Sequence, residues 1–357
     1  MCEKIVLNMS EKRVPARIEC LPVEIIQIIF LHCVEFNLPR ASIHIARALS
    51  DPVIYTWLIR LAFTIDNHES RGILTLEYLP PPLDFYGLSK QERTGLQSAI
   101  LGTRWCTLPL VRKCQVEYIK HVIAIQCTRL KFSSEDKNKL SNLEQRFEES
   151  TRIMDAQDAP SENLVEDLKI LAMCKSINGI PDTYGSCVLS IWFNSGLVVL
   201  NRLVDGLSFP VSEEEYRFPA CVSTMPRMPE KLLCPPWTPD KLSFLALLAE
   251  GAYIDEDENF ECSRRILRQV IRDRDLGTFQ RLLGLCIRLK CYNYSRDWPL
   301  LPCHFRAAIK YADERDDPFI KLLVEKRWCD VPEDIHLKDE LLRRYNAAEV
   351  DKWIHKH

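Results

Sequence analysis

Glycine is scarce in this chain, with eleven in 357 residues, and none of them forms a phosphate-cradling loop of the P-loop or Rossmann type. Nucleotide-dependent chemistry therefore has no footing. Gly-x-Ser-x-Gly, His-Glu-x-x-His and the kinase signatures are also missing, which removes the common hydrolase, metalloprotease and kinase readings. There is no basic excess either: 47 Lys and Arg stand against 50 Asp and Glu, for a formal charge of -3. Dedicated nucleic-acid binders carry surplus cations to neutralise phosphates, so no nucleic-acid partner is expected. The stretch Arg264-Arg265, Arg268, Arg272 and Arg274, interleaved with Asp273 and Asp275, reads as a solvated helix face.

The opening Met1-Cys2-Glu3-Lys4-Ile5 has no apolar signal core. Residues 183–201 run nineteen positions without a charge, but an Asn194-Ser195-Gly196 turn interrupts them. Two short strands, Cys187–Phe193 and Leu197–Asn201, suit them better than a membrane span. The expected location is intracellular, cytoplasmic and/or nuclear, with no membrane partner. Cysteine is the one abundant oddity: fifteen, an odd count, with no Cys-x-x-Cys. Cys33, Cys114, Cys174 and Cys286 lie among Leu, Ile and Val, as buried reduced thiols do. The spacing of Cys286, Cys291, Cys303 and His304 fits no common zinc site, so neither metal nor cofactor is expected. Cys187 or Cys221 with a distant histidine would be needed for an unrecognised thiol enzyme. Nothing local distinguishes either thiol, and the chain reads as a non-enzyme.

What is present is mostly helical patterning. Pro22 opens a run with Ile25, Ile28, Ile29, Cys33 and Phe36 at three-four spacing. A short helix comes next over 41–49, and Asp51-Pro52 caps another carrying Ile54, Trp57, Leu58 and Leu61. Leu79-Pro80-Pro81-Pro82-Leu83 is a stiff connector, and Ser89 with Glu92 makes a capping box. Val111, Cys114, Tyr118, Val122 and Ile125 mark an amphipathic helix, and a further helix is expected over 162–177. Seven prolines between 210 and 239 exclude continuous helix and predict an extended linker or arm. Beyond it Leu247-Leu248, Leu282-Leu283 and Leu322-Leu323 recur 35 and 40 residues apart on paired helices, as in a stacked helical repeat.

Residues 244–252, Phe-Leu-Ala-Leu-Leu-Ala-Glu-Gly-Ala, resemble a degenerate ankyrin repeat, although its Thr-Pro-Leu-His signature is missing. Leu21-Pro22-Val23-Glu24-Ile25-Ile26-Gln27-Ile28-Ile29-Phe30 resembles the opening of an F-box, and Ser50-Asp51-Pro52-Val53-Ile54-Tyr55 is similar to the start of its third helix. The Val-Cys-x-x-Trp pattern of the second half is absent, with Ile43, Ile45 and Ala46 in its place. The resemblance is closest to fungal F-box-like proteins. It implies that Leu21, Pro22, Ile25 and Ile29 contact the Skp-type linker subunit of an SCF ubiquitin ligase, while the C-terminal repeats hold an unknown client protein. The fold expected is mainly α: an F-box-like three-helix unit over 18–63, a helical middle domain over 84–177, a β-hairpin and Pro-rich linker over 178–236, and ankyrin-like helical repeats over 237–357. A stand-alone ankyrin-like scaffold without ligase association is the alternative.

Overall fold

Among the described residues a 3-10 turn over Arg17–Cys20 leads into four α-helices: α1 (Val23–Cys33), α2 (Leu38–Ala41), α3 (Ile43–Ala48) and α4 (Pro52–Phe63). The expected helix over 41–49 is split at Ser42, whose backbone is extended and whose Oγ accepts the Ile45 N–H at 3.3 Å. Asp51 caps α4 as its sequence predicts, with the Val53 N–H donating to Oδ1 at 2.8 Å. The computed structural model describes residues 16–64, 72–128, 130–156, 167–174, 185–204, 210, 212–222, 224–256, 262–290, 294–312 and 316–345. Cys291 of the candidate zinc set lies outside them.

No seam separates α4 from the next two helices, α5 (Lys90–Gly102) and α6 (Leu108–Gln126). Seven of the twelve residues of α4 are buried. Arg60 donates to the Tyr78 carbonyl at 3.0 Å and pairs with Glu117 of α6 at 2.7 Å. Gln97 of α5 donates to the Ala62 carbonyl at 2.7 Å, and the Ala220 N–H to that of Phe63 at 2.8 Å. The Ser89 and Glu92 box at the start of α5 is closed in both directions.

The mainly-α expectation is overturned by a five-stranded antiparallel sheet and a second, three-stranded one, which make the fold an α/β mixture. After β1 (Leu130–Lys131) come helices α7 (Ser134–Ser141) and α8 (Leu143–Ala156), then β2 (Leu168–Cys174), β3 (Ser186–Trp192), β4 (Leu197–Leu203) and β5 (Ser212–Arg217). The strands lie in sequence order. β2 stands in place of the helix expected over 162–177, of which 162–166 and 175–177 lie outside the described residues. Leu168, Ile170 and Ala172 turn inward while Lys169, Leu171 and Met173 turn outward, a period of two. Leu, Lys, Ala and Met are good helix formers, and the register against β3 (Leu168 opposite Ile191, Ile170 opposite Leu189) overrides that preference. The predicted hairpin exists as β3 and β4, but it is the interior of the sheet. Helix α6 backs it, with Tyr118 stacked on Phe218 at 5.2 Å and Arg112 donating to the Asn194 carbonyl at 2.6 Å.

The Pro-rich stretch is not a free arm. β5 pairs along β4, and Phe218, Pro219, Pro226, Met228, Pro229, Leu232 and Leu233 are buried. Lys231 Nζ donates to the carbonyls of Cys106, at 2.6 Å, and Thr103, closing the α5–α6 corner. The Met228 N–H donates to the Tyr253 carbonyl at 2.7 Å on the other side. Prolines suit such a strap because their fixed φ holds it extended and keeps it from becoming helix.

The C-terminal third holds α9 (Pro239–Leu248), β6 (Tyr253–Ile254), α10 (Cys262–Arg272), α11 (Leu276–Leu283), β7 (Cys286–Leu289), β8 (Arg296–Asp297), α12 (Pro302–Tyr311), α13 (Pro318–Arg327) and α14 (Ile335–Arg344). Helices α10, α12 and α14 pack side by side in one row, and α9, α11 and α13 in a second. The paired leucines fall on the second row, where Leu248, Leu282 and Leu323 are buried. Phe279 and Phe319 meet at 5.2 Å between α11 and α13.

Candidate partner-docking surface

Helix α1 carries more apolar side chains than one face can bury. Pro22 is its N-cap, and the Pro22 carbonyl accepts the N–H groups of Ile25 and Ile26, both at 3.1 Å. Ile26, Phe30 and Leu31 point into the core. Gln27 Nε2 donates to the Ala48 carbonyl at 2.9 Å and fixes α1 against α3. The helix stops at Val34, a left-handed residue (φ 47°) whose N–H returns to the Phe30 carbonyl at 2.7 Å. A β-branched residue there costs about 1–2 kcal/mol, so surrounding contacts must hold the turn. Phe36 supplies one, its ring edge-on to Phe30 at 6.3 Å.

With the inner face settled, the opposite face is uncovered and mostly apolar, with exposed Glu24 and His32 among its isoleucines. Val23, Ile25, Ile28 and Ile29 are 41, 41, 45 and 36 % exposed, and Pro22 is exposed beside them. Ile43 and Val53 are also exposed, at the starts of α3 and α4. Of the four residues singled out from sequence, Pro22, Ile25 and Ile29 lie on this surface. Leu21 is half-buried against the core and shares only its edge. Sequence reasoning missed Val23, Ile43 and Val53 as exposed members; their signal is a β-branched apolar residue in the first helical turn, where the chain has just left the core.

No family model, curated protein or solved structure matches the chain. The surface is therefore read on its own chemistry. A helix face with three exposed isoleucines, Ile25, Ile28 and Ile29, is suited to the apolar groove of a protein partner. Its two titratable side chains, Glu24 and His32, stand eight residues apart at opposite ends of α1.

The other sequence candidates do not converge. Burial pushes the Cys187 thiol up to about 11 and that of Cys221 up to about 12, the opposite of what activates a nucleophile. His121 hydrogen-bonds the Ile73 carbonyl at 2.6 Å and stacks on Tyr78. His304 accepts the Leu301 N–H at Nδ1 (3.0 Å), so its proton is on Nε2, which donates to the Arg264 carbonyl at 3.0 Å. Neither nitrogen is left to hold a metal, and Cys286 is hydrogen-bonded to Asp297. Among the described residues no metal-binding cluster forms and no helix is long and apolar enough to cross a membrane.

Proposed function

We propose that this chain is a non-catalytic adaptor that docks a Skp-type linker subunit through α1 and carries a client protein on its C-terminal helices. The observation that carries the reading is the division of α1 into a buried face (Ile26, Phe30, Leu31) and an exposed one (Pro22, Ile25, Ile28, Ile29). Had Ile25 and Ile29 been buried under later helices, α1 would be only an N-terminal cap. Proximity is then the whole mechanism, and ubiquitin transfer chemistry belongs to other subunits.

Each exposed isoleucine presents on the order of 70 Å² of apolar surface, worth about 2 kcal/mol when covered at ~25 cal/mol per Å². The test is co-purification and titration with a fungal Skp-type subunit, comparing the wild type with Ile25→Asp/Ile29→Asp. Loss of both contacts weakens binding by about a thousandfold, while the variant keeps a folded far-UV circular dichroism spectrum because neither residue is among the buried ones of α1. A wild type that does not bind the subunit ends the ligase reading and leaves a stand-alone scaffold.

A further inference from the structure

Helices α10 and α12 lie side by side in the first row of the C-terminal stack. Their register is set by His304, which binds the Arg264 carbonyl at 3.0 Å, and by Trp298, whose indole N–H donates to the Ser263 carbonyl at 3.3 Å. Beyond the far end of α10, Arg274 pairs with Asp317, which lies beyond the end of α12, so the two helices run the same way. The second row backs both. Whatever each leaves exposed therefore faces the same side.

Five residues of these two helices are exposed: Arg265, Arg268, Arg272, Arg306 and Lys310. Every one is a cation, and neither helix contains a carboxylate. That departs from an ordinary solvated face, where signs are mixed for solubility. Exposed positions of α13 and α14 show the ordinary pattern, with Lys321, Glu325 and Lys326 on one and Asp339, Glu340 and Arg343 on the other. Among the described residues Asp273 pairs with Arg272 and Asp334 with Arg306, each at 3.4 Å and in solvent-exposed pairs that bind weakly, and Arg265 reaches the Cys262 thiol. In a chain of net charge -3 this is a local inversion of sign.

We infer that the paired faces of α10 and α12 are a docking surface for an acidic segment of a client protein. Guanidinium forks on adjacent helices match carboxylates, which they engage in bidentate pairs. A protein segment is favoured over nucleic acid because none of the exposed positions on these helices is aromatic, so bases have nothing to stack on. The client role rests on the adaptor reading, but the charge chemistry does not.

The test uses the full chain and fluorescence polarisation of a short labelled peptide of alternating Glu and Ser. Controls are the same peptide with Gln for Glu and a single-stranded oligonucleotide of equal length. The expected result is binding to the acidic peptide alone that weakens as ionic strength rises past about 0.15 M. Arg268→Glu/Lys310→Glu lowers that affinity about tenfold or more, and Arg268→Lys retains most of it. Equal binding of the Gln peptide, tighter binding of the oligonucleotide, or no binding at low salt overturns the inference. Failure to bind a Skp-type subunit with the acidic peptide still bound removes the adaptor reading alone.

Discussion

Gly196 sits where the β3–β4 turn meets α6, with φ at +65°. Its carbonyl accepts the Phe218 N–H at 3.0 Å, and the Phe218 carbonyl in turn accepts the buried Gln115 amide at 2.8 Å. A Cβ built on Gly196 would stand 1.9 Å from the Phe218 oxygen and 2.2 Å from Gln115 Nε2. The oxygen is backbone in a strap packed on both sides, so relief requires the sheet edge to move. For Gly196→Ala the left-handed backbone costs about 1–2 kcal/mol. Losing the two hydrogen bonds that tie Phe218, just after β5, to the turn and to α6 costs about 1–1.5 kcal/mol each. The sum, about 3–5 kcal/mol, is a large share of the ~5–15 kcal/mol that holds a domain folded. Urea unfolding followed by far-UV circular dichroism measures it. Gly95→Ala is the internal control, since Gly95 lies within α5 with open space around its Cβ position, and alanine there stabilises by about 0.5–1 kcal/mol. A Gly196→Ala loss below about 1 kcal/mol refutes the claim that this turn is clamped.

Thiol reactivity should follow burial. Cys106 and Cys187 are held up at about 11, and Cys114, Cys127 and Cys221 at about 12, all chiefly by desolvation of the thiolate. Native alkylation at pH 8 followed by mass spectrometry should label exposed Cys20, Cys33, Cys234 and Cys329 first. The five raised thiols should stay protonated and unlabelled until denaturant is added; early labelling of Cys187 or Cys221 would reopen the thiol-enzyme reading. Lys231→Met leaves the Thr103 and Cys106 carbonyls without their ammonium donor and should cost about 1–3 kcal/mol in thermal or urea melts. An unchanged midpoint would mean that water replaces the amine freely.

The helices with local punctuation were readable from sequence. Asp51-Pro52 and Ser89 with Glu92 cap α4 and α5 because capping needs only residues two or three apart. What escaped was decided by distant partners. The β2 segment Leu-Lys-Ile-Leu-Ala-Met-Cys has helical composition and becomes a strand by pairing with residues 186–191. β5, Ser-Glu-Glu-Glu-Tyr-Arg, has almost no strand propensity, buries only Tyr216 and is held by its register on β4. Prolines announced extended chain at 210–239, but composition cannot say whether extended chain is free or buried. On α1 the surplus of isoleucines showed that some must remain outside; which ones had to wait for the Gln27 bond to Ala48. The cationic stripe was visible in α10 as a charge run. Its meaning depended on α12 lying alongside, forty residues away.

The buried strap over 212–236 removes the joint that an adaptor would otherwise have between its two ends. Its bonds reach Gln97 and Lys231's corner on one side and Tyr253 on the other, so the first helices and the last share one continuous core. Reach is then a property of the architecture. Anything held by α10 and α12 is presented at one distance and one bearing from anything held by α1, with no tether to search other orientations. For the adaptor proposed above, a client of different length is met by adding or removing stacked helices, because the described residues of the strap form no free linker.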